Sequence, residues 1–264
     1  MSLRGEGGMA LAVIGGTGLY ELAALKDSEA VQHATPYGDP SGPVRIGRFG
    51  AQRIAFLARH GERHSVPPHQ VNYRANLWQL KETGATRVLA INAVGGITGH
   101  YPPRAIGVPD QIIDYTWGRI STFCEEQGTD VLHVDMTDPY TPSLRAALLA
   151  AARAAAIAVV DGGCYGATQG PRLETRAEIA RMRRDGCDLV GMTGMPEAAL
   201  ARELGLEYAS LALVANWAAG CGPLGQDSGQ AAEITMEEVH ANLDHATARL
   251  PALLAALLDL PQAQ

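Results

Sequence analysis

A cluster of basic side chains is the first candidate for chemistry in this chain. Arg59, His60, Arg63 and His64 fall within six residues, directly after an apolar run. A guanidinium group binds an oxyanion through two parallel hydrogen bonds, and a neighbouring imidazole can add a further contact. The alternative is a solvated basic turn, but basic clusters are few in a chain with a net charge of -7. We therefore predict an anion site here, with phosphate as the expected ligand.

A glycine-rich turn at residues 15–18, with the sequence Gly-Gly-Thr-Gly, is a second candidate for anion binding. Glycine lets the backbone fold around a ligand, so that backbone N–H groups and the Thr17 hydroxyl can donate hydrogen bonds. The run lacks the spacing of a dinucleotide-binding fingerprint and the lysine of a P-loop. A plain tight turn is equally compatible with these residues, so both interpretations stay open.

Two further polar residues follow apolar runs. Thr193 lies next to Met192, and the glycines at 191 and 194 that flank the pair would allow a ligand to approach closely. Asn216 ends the apolar run at residues 211–215. A neutral amide carries both donors and an acceptor, so it can recognise a group that would repel a carboxylate. Core packing by Met192 and local capping by Asn216 are the structural alternatives.

These candidates stand at the ends of predicted strands. Short runs rich in Val, Ile and Leu predict buried strands over residues 10–14, 53–58, 87–91, 188–190 and 208–215. Helical patterns alternate with them over residues 71–84, 142–156, 174–185, 197–204 and 236–260. The alternation predicts an α/β fold with a largely parallel or mixed sheet in a single domain. Because ligands bind at the carboxyl ends of strands in such sheets, we expect the candidates to converge there.

The composition disfavours several classes of function. A chain of 264 residues with 47% hydrophobic residues can bury a large core, and its negative charge disfavours a nucleic-acid partner. The four cysteines are scattered without a Cys-x-x-Cys pair, which argues against a zinc site or a disulfide framework and favours the cytoplasm. No run is apolar and long enough to predict a membrane span. We interpret residues 1–9 as a disordered tail or cloning remnant, followed by one domain at 10–264.

Four motifs together resemble one enzyme family. They are Arg-His-Gly at 59–61, Val-Asn-Tyr-Arg-Ala-Asn-Leu-Trp at 71–78, Gly-Pro-Arg at 170–172 and Met-Thr-Gly-Met-Pro-Glu-Ala at 192–198. Their order and spacing are similar to those of the trimeric purine-nucleoside phosphorylases, specifically the methylthionucleoside branch. The resemblance implies a mixed central sheet with partly barrel-like curvature, flanked by helices and assembled as a homotrimer. It also implies phosphorolysis, in which phosphate is the co-substrate that attacks the ribose C1', with no metal or organic cofactor.

The resemblance also implies roles for individual residues. The residues expected to line the phosphate are Thr17, Arg59, His60, Asn92, Ala93 and Thr193. Side-chain donors are expected from Thr17, Arg59, His60 and Thr193, whereas Ala93 contributes only its backbone. Met192 is expected along the ribose, Leu173 against the base, and His133 in the site of a neighbouring subunit. The groups expected to act on the transition state are Arg59, His60, Thr193 and Asn216. No covalent nucleophile is needed, because preorganised donors can stabilise the charge that develops on phosphate and base.

Asn216 marks the main departure from the methylthioadenosine enzymes of this family. Those enzymes carry two Asp residues where this chain has Asn216 and Ala218, and Tyr where it has Trp217. A 6-oxopurine presents the acceptor O6 and gains a proton at N7 as it leaves. An Asn side chain can donate to O6 and accept from N7–H, whereas an ionised Asp would repel O6. The resemblance therefore favours a 6-oxopurine, with Asn216, Trp217 and Ala218 at the base.

The 5' end of the nucleoside is expected against Met236 and Val239, at the start of the last helical pattern. Inosine and guanosine phosphorylases place a His near the 5'-hydroxyl, whereas Met and Val suit a methylthio group. We therefore expect a purine methylthionucleoside and phosphate as the partners. The alternatives are a methylthioadenosine phosphorylase, an inosine/guanosine phosphorylase, and a non-catalytic nucleoside-binding protein on the same fold.

Overall fold

The computed structural model describes residues 9, 11–19, 22, 24–125, 130–223 and 233–260. Its strands are β1 (Leu11–Gly15), β2 (Lys26–Val31), β3 (Val44–Phe49), β4 (Gln52–Ala58), β5 (Arg87–Gly96), β6 (Ile106–Val108), β7 (Gln111–Asp114), β8 (Val160–Asp161), β9 (Cys164–Ala167), β10 (Leu189–Gly191) and β11 (Glu207–Trp217). Its α-helices are α1 (Tyr73–Glu82), α2 (Pro142–Ala154), α3 (Arg176–Arg184), α4 (Gly194–Glu203), α5 (Met236–Thr247) and α6 (Leu250–Asp259).

One mixed sheet forms the centre of the fold. Its main path runs β2-β3-β4-β1-β5-β10-β9-β7, and the long strand β5 also pairs with β11. β1 lies parallel to β4 and β5, and β11 lies parallel to β5, so the carboxyl ends of these four strands meet at one edge. β11 continues through β6 to β8. The sheet therefore branches at β5, and it does not close into a barrel over the residues described.

Both faces of the sheet are covered, because the central strands are apolar on both sides. In β1, Leu11 and Val13 pack into one core cluster, while Ala12 and Ile14 pack into another. Successive strand residues point to opposite faces, so this division follows from strand geometry. Helices α2, α5 and α6 complete the first cluster, and α1 and α4 complete the second. The two helical layers therefore hold the central strands and their carboxyl ends in fixed positions.

The predicted α/β fold, with a mixed sheet flanked by helices in one domain, is confirmed. The single helix predicted over 236–260 is wrong, because α5 and α6 are separated at Ala248 and Arg249. Pro251 lies in the first turn of α6. Proline has no N–H for the carbonyl four residues earlier, and its ring clashes with that carbonyl, so one helix cannot continue through it.

The N-terminal boundary of the domain stays a prediction. Met9 is buried in the second core cluster, and residues 1–8 lie outside the described part of the chain.

Of the helices in the residues described, none is long and apolar enough to cross a membrane.

Candidate functional site

A cavity of about 290 Å³ lies at the sheet edge where the carboxyl ends of β1, β4, β5 and β11 meet. It is lined by Gly16, Thr17, Arg59, His60, His64, Pro68, Ala93, Val94, Gly95, Pro171, Leu173, Glu174, Val190, Gly191, Met192, Thr193, Ala215, Asn216, Ala218, Ile234, Met236 and Val239. Most of the residues predicted for the site are therefore together. Asn92 and Trp217 were predicted for the site but lie outside this lining, and so does His133, which was expected to reach the site of a neighbouring subunit.

Arg59 lies at the cavity wall as one half of a fully buried ion pair. Its Nε and Nη2 donate to the two carboxylate oxygens of Glu197 at 2.7 and 2.8 Å, and Nη1 donates to the Ile91 carbonyl oxygen at 3.0 Å. Burial by itself lowers the pKa of Arg59, but the charge and hydrogen bonds of Glu197 raise it above its usual value. The guanidinium is therefore charged and fixed in one plane, and one N–H each on Nη1 and Nη2 takes no part in these three bonds.

Glu197 and Tyr208 complete this network, although neither was predicted for the site. Tyr208 donates its hydroxyl to Glu197 Oε1 at 2.8 Å, and both residues are buried. The motif around residues 192–198 located Glu197 in a helix, but its partner Arg59 is 138 residues away in the chain. The signal in the sequence was a carboxylate inside an otherwise apolar motif, which requires a buried cation or donor as its partner.

His60 borders the cavity as a neutral imidazole. Its Nδ1 lies 2.8 Å from the carbonyl oxygen of Val66, which can only accept, so we assign the ring proton to Nδ1. Burial and the positive charge of Arg59 lower the pKa of His60 to about 4. Its other nitrogen, Nε2, is therefore an acceptor at neutral pH, whereas the resemblance implied a donor. An acceptor suits a hydroxyl group, such as the protonated oxygen of hydrogen phosphate.

Thr193 presents its hydroxyl at the start of α4, and Asn92 holds it in place. Asn92 Nδ2 donates to Thr193 Oγ1 at 2.8 Å, and Asn92 Oδ1 accepts from Ser210 Oγ at 2.8 Å. All three residues are buried. Because Thr193 Oγ1 accepts from Asn92, its own proton can be donated to a ligand in the cavity. Asn92 lies behind Thr193, so it supports the hydroxyl and has no place in the cavity wall itself.

The glycine-rich turn after β1 approaches the same wall. A Cβ atom at Gly16 would lie 2.7 Å from the Ile91 carbonyl oxygen and 3.1 Å from Arg59 Nη1. Glycine is therefore required for close packing of the turn against the guanidinium. The turn brings Thr17 into the lining, where Ala93 of β5 also lies.

A second set of lining residues combines an amide with a carboxylate. Asn216 follows a bulge in β11, where the pairing with β5 shifts between Val214 and Asn216. Its Nδ2 donates to the Trp217 carbonyl oxygen at 2.6 Å, which leaves one N–H and the Oδ1 acceptor for a ligand. Glu174 lines the same cavity, and its Oε1 accepts from Thr168 Oγ1 at 2.6 Å. Burial raises the pKa of Glu174.

Glu174 is a site residue that the sequence interpretation did not select. The helix predicted over residues 174–185 placed it in the first turn, where an acidic residue commonly interacts with the helix terminus. In the structure, Thr175 is the N-cap of α3 and forms a capping box with Glu178, so Glu174 takes no part in the cap. The Thr-x-x-Glu spacing at 175–178 was the signal that could have separated capping from ligand contact.

Apolar residues form most of the rest of the lining, to which His64 also belongs. Ile234, Met236 and Val239 come from the start of α5 and the segment before it, and Leu173 and Met192 come from other segments. Leu173 and Met236 are 47% and 57% exposed, so they stand at the mouth of the cavity.

Ala218 is buried in the lining, which leaves no ionisable group at this position beside Asn216. His133 is exposed, and its place outside the lining is compatible with a role in a neighbouring subunit.

The chain matches the model of the phosphorylase superfamily over residues 10–259, and it therefore belongs to that superfamily. It is 64% identical over 249 residues to a probable S-methyl-5'-thioinosine phosphorylase from Xanthomonas campestris pv. campestris, which covers 94% of this chain and 97% of that protein. It is 46% identical over 216 residues to a 6-oxopurine nucleoside phosphorylase from Pyrococcus furiosus, with 80% of each chain covered.

The chain is also similar to solved structures of nucleoside phosphorylases. The methylthioadenosine phosphorylase from Schistosoma mansoni in complex with adenine has a TM-score of 0.88 and 32% identity, with 95% of this chain and 91% of that chain covered. The resemblance to nucleoside phosphorylases is thus confirmed, and this chain is an enzyme of that class. These relatives differ in the base that their names specify, so the residues in the cavity have to indicate which base this chain takes.

Proposed function

We propose that this enzyme cleaves S-methyl-5'-thioinosine with inorganic phosphate and releases hypoxanthine and 5-methylthioribose 1-phosphate. The observation that carries the proposal is the presence of Asn216 and Glu174 in the lining of one cavity. Relatives at 51%, 62% and 64% identity are named probable S-methyl-5'-thioinosine phosphorylases, which supports the same substrate.

The amide and the carboxylate match the polar edge of a 6-oxopurine. Hypoxanthine presents a donor at N1–H and an acceptor at O6, and it acquires a second donor at N7 when it leaves. Asn216 can donate its remaining N–H to O6 and accept from N7–H, while an oxygen of Glu174 can accept from N1–H. Adenine has a bare lone pair at N1, so it offers no proton to that acceptor. A mispaired polar group costs about 1–3 kcal/mol when buried, which corresponds to roughly a fivefold to hundredfold preference.

The charged wall of the cavity suits the phosphate. Arg59, Thr17 and Thr193 supply donors together with backbone N–H groups near Ala93, and His60 accepts from the phosphate proton. A phosphate oxygen forms a bond to C1' as the bond from C1' to N9 breaks, and the purine leaves with that electron pair and takes up a proton from solvent at N7. Donors fixed at both ends stabilise the negative charge on phosphate and base without a covalent intermediate.

The segment around α5 supports a methylthio group at the 5' end. Ile234, Met236 and Val239 offer an apolar wall to a thioether and no partner to a hydroxyl.

One observation favours a second candidate, which is inosine phosphorolysis. His64 also lines the cavity. Burial lowers the pKa of His64, and the charge of His240 in α5 lowers it further, so the imidazole lies beside the α5 wall. A histidine there could pair with a 5'-hydroxyl.

Phosphate-dependent release of hypoxanthine tests the proposal directly. Purified enzyme is incubated with methylthioinosine or inosine, with and without phosphate, and hypoxanthine and the sugar phosphate are measured by chromatography. We expect both products only with phosphate, and faster turnover of methylthioinosine. Equal or faster turnover of inosine would favour the second candidate. Binding of nucleoside without phosphate-dependent cleavage would contradict the enzymatic proposal.

A homotrimer in the cytoplasm is part of the same proposal. Val131 and Leu132 are 70% and 51% exposed beside the exposed His133, and a neighbouring subunit would cover such apolar side chains. A sedimentation measurement that gives three chains per particle would support this assembly, whereas a monomer with full activity would leave His133 without its role. The free thiols of Cys124, Cys164 and Cys187 are compatible with the reducing compartment that this proposal includes.

A further inference from the structure

Arg119 connects two walls of the nucleoside cavity without lining it. It lies after β7, and its Nη1 donates to the carbonyl oxygens of Met192 and Met195 at 2.8 and 2.6 Å. Its Nη2 donates to the carbonyl oxygens of Thr168 and Gln169 at 3.1 and 2.8 Å. One planar guanidinium group therefore bridges the backbone of two separate segments, which are residues 168–174 and residues 192–195.

Each segment carries residues that the proposed function uses. The first bears Leu173 and Glu174, and the second bears Met192 and Thr193. The two segments also meet at Gly170, where an added Cβ would lie 2.5 Å from Met192 Sδ. The distance between them therefore decides whether a base and a ribose fit between their side chains.

Arg119 replaces the sheet as the connection between the segments. β9 and β10 pair through Ala167 and Gly191, and the last backbone bond runs from Thr168 N–H to the Gly191 carbonyl oxygen at 2.8 Å. Beyond that point, the carbonyl oxygens of residues 168, 169, 192 and 195 accept hydrogen bonds from the Arg119 guanidinium instead. Three further contacts fix its plane: Nε donates to Gln169 Oε1 at 3.2 Å, Nη1 donates to Tyr73 Oη at 3.2 Å, and the guanidinium lies 5.6 Å from the centre of the Tyr73 ring.

We propose that Arg119 is a positioning residue that sets the spacing between the two walls and thereby the affinity for the nucleoside. This inference rests on the proposed function for its substrate. Phosphate affinity should be affected much less, because Thr193 is held separately by Asn92 and Arg59 is held by Glu197. Lysine cannot take over this role, since one ammonium group has no rigid fork that spans four carbonyl oxygens.

The test compares Arg119→Lys with Arg145→Lys as a matched control. Arg145 also donates to two carbonyl oxygens, those of Val108 and Pro109, but it joins α2 to the end of β6 and does not line the cavity. For Arg119→Lys we expect the KM for methylthioinosine to rise about tenfold, as for the loss of a hydrogen bond from a charged group. The KM for phosphate should change by less than about twofold, and the control should change neither.

Hydrogen exchange of backbone amides gives a second readout that does not need turnover. We expect faster exchange in Arg119→Lys at residues 168–174 and 192–195 and unchanged exchange there in the control. If Arg119→Lys does not fold, Arg119→Gln is measured instead of it. Equal increases in both KM values, or unchanged exchange in the two segments, would overturn the role of Arg119. If the wild type cleaves no methylthioinosine, the proposed function fails, and exchange alone decides whether Arg119 holds the two walls.

Discussion

Arg59 and Glu197 form a buried ion pair whose side chains are 0% and 1% exposed, with two hydrogen bonds between them. The positive charge at the proposed phosphate wall is therefore already balanced before any ligand binds. In the proposed function, binding of phosphate relies on the two N–H groups of Arg59 that these bonds leave and on the hydroxyls of Thr17 and Thr193. Phosphate binding would then depend on the fixed positions of the donors more than on net positive charge. This suits a site that has to bind phosphate and then release a sugar phosphate.

Removing the charge of Glu197 should destabilise the protein and make phosphate a stronger stabiliser. For Glu197→Gln we expect the free energy of unfolding to fall by about 3–5 kcal/mol, because Arg59 is left buried without its counterion. Added phosphate can replace that counterion, so it should raise the Tm of the variant more than that of the wild type.

The matched control for this prediction is Glu62→Gln, which removes an exposed ion pair with Arg45 and should cost at most about 1 kcal/mol. An equal rise in Tm with phosphate for Glu197→Gln and wild type would contradict the proposed link between the ion pair and phosphate.

Glu174 should be required for a 6-oxopurine and not for stability in general. Glu174→Gln replaces one acceptor oxygen by a donor, so N1–H of hypoxanthine meets a group of the wrong polarity. We expect kcat/KM for methylthioinosine to fall roughly tenfold to hundredfold. The nearby Glu178 pairs with exposed Arg172, and Glu178→Gln should leave kcat/KM nearly unchanged. Similar losses in both variants would show that the effect is structural.

Asn92 should act on phosphate through Thr193. Asn92→Ala removes the donor that orients the Thr193 hydroxyl, and it also leaves Ser210 without its acceptor. We expect the KM for phosphate to rise about tenfold with little change in the KM for the nucleoside, since only one wall is affected. Steady-state kinetics with each substrate varied in turn measure the two constants. A selective rise in the nucleoside KM would place Asn92 in a different role.

The low pKa of His60 predicts how stability depends on pH. The unfolded chain binds a proton at its ordinary pKa of about 6.5, whereas the folded protein binds it only near 4. Between these values the unfolded state holds more protons, so stability falls as pH is lowered from 6.5 towards 4, by up to about 3 kcal/mol.

Chemical denaturation at several pH values, without phosphate, measures this slope. His60→Gln should flatten it between pH 6.5 and 4 while the stability at pH 8 changes less. If the variant keeps the wild-type slope, other groups cause the acid sensitivity.

Much of the fold followed from the sequence because the central strands are continuous apolar runs bounded by Gly or small polar residues. The exposed strand β2, with charged residues along it, and the short strands β6, β8 and β9 gave no such signal. The predicted ends of β1, β4 and β11 already place Thr17, Arg59 and Asn216 near one another. That part of the site was predictable because parallel strands bring their carboxyl ends together.

The remaining features depend on contacts between distant parts of the chain. The partnership of Arg59 with Glu197, and the bridging role of Arg119, require packing that no local pattern encodes. The neutral state of His60 depends on burial and on the positive charge of Arg59, and the Val66 carbonyl fixes its ring proton, so the structure has an acceptor where the resemblance implied a donor. Sequence motifs thus located the site, whereas the protonation and orientation of its groups came from tertiary structure.

The central claim is that Asn216, together with Glu174, recognises a 6-oxopurine base. Its most direct test is the ratio of kcat/KM for methylthioinosine to that for methylthioadenosine, measured at one phosphate concentration in the wild type and in Asn216→Asp. We predict a ratio well above one for the wild type and a fall of about tenfold or more in the variant. A wild-type ratio below one, or an unchanged ratio in the variant, would contradict the claim.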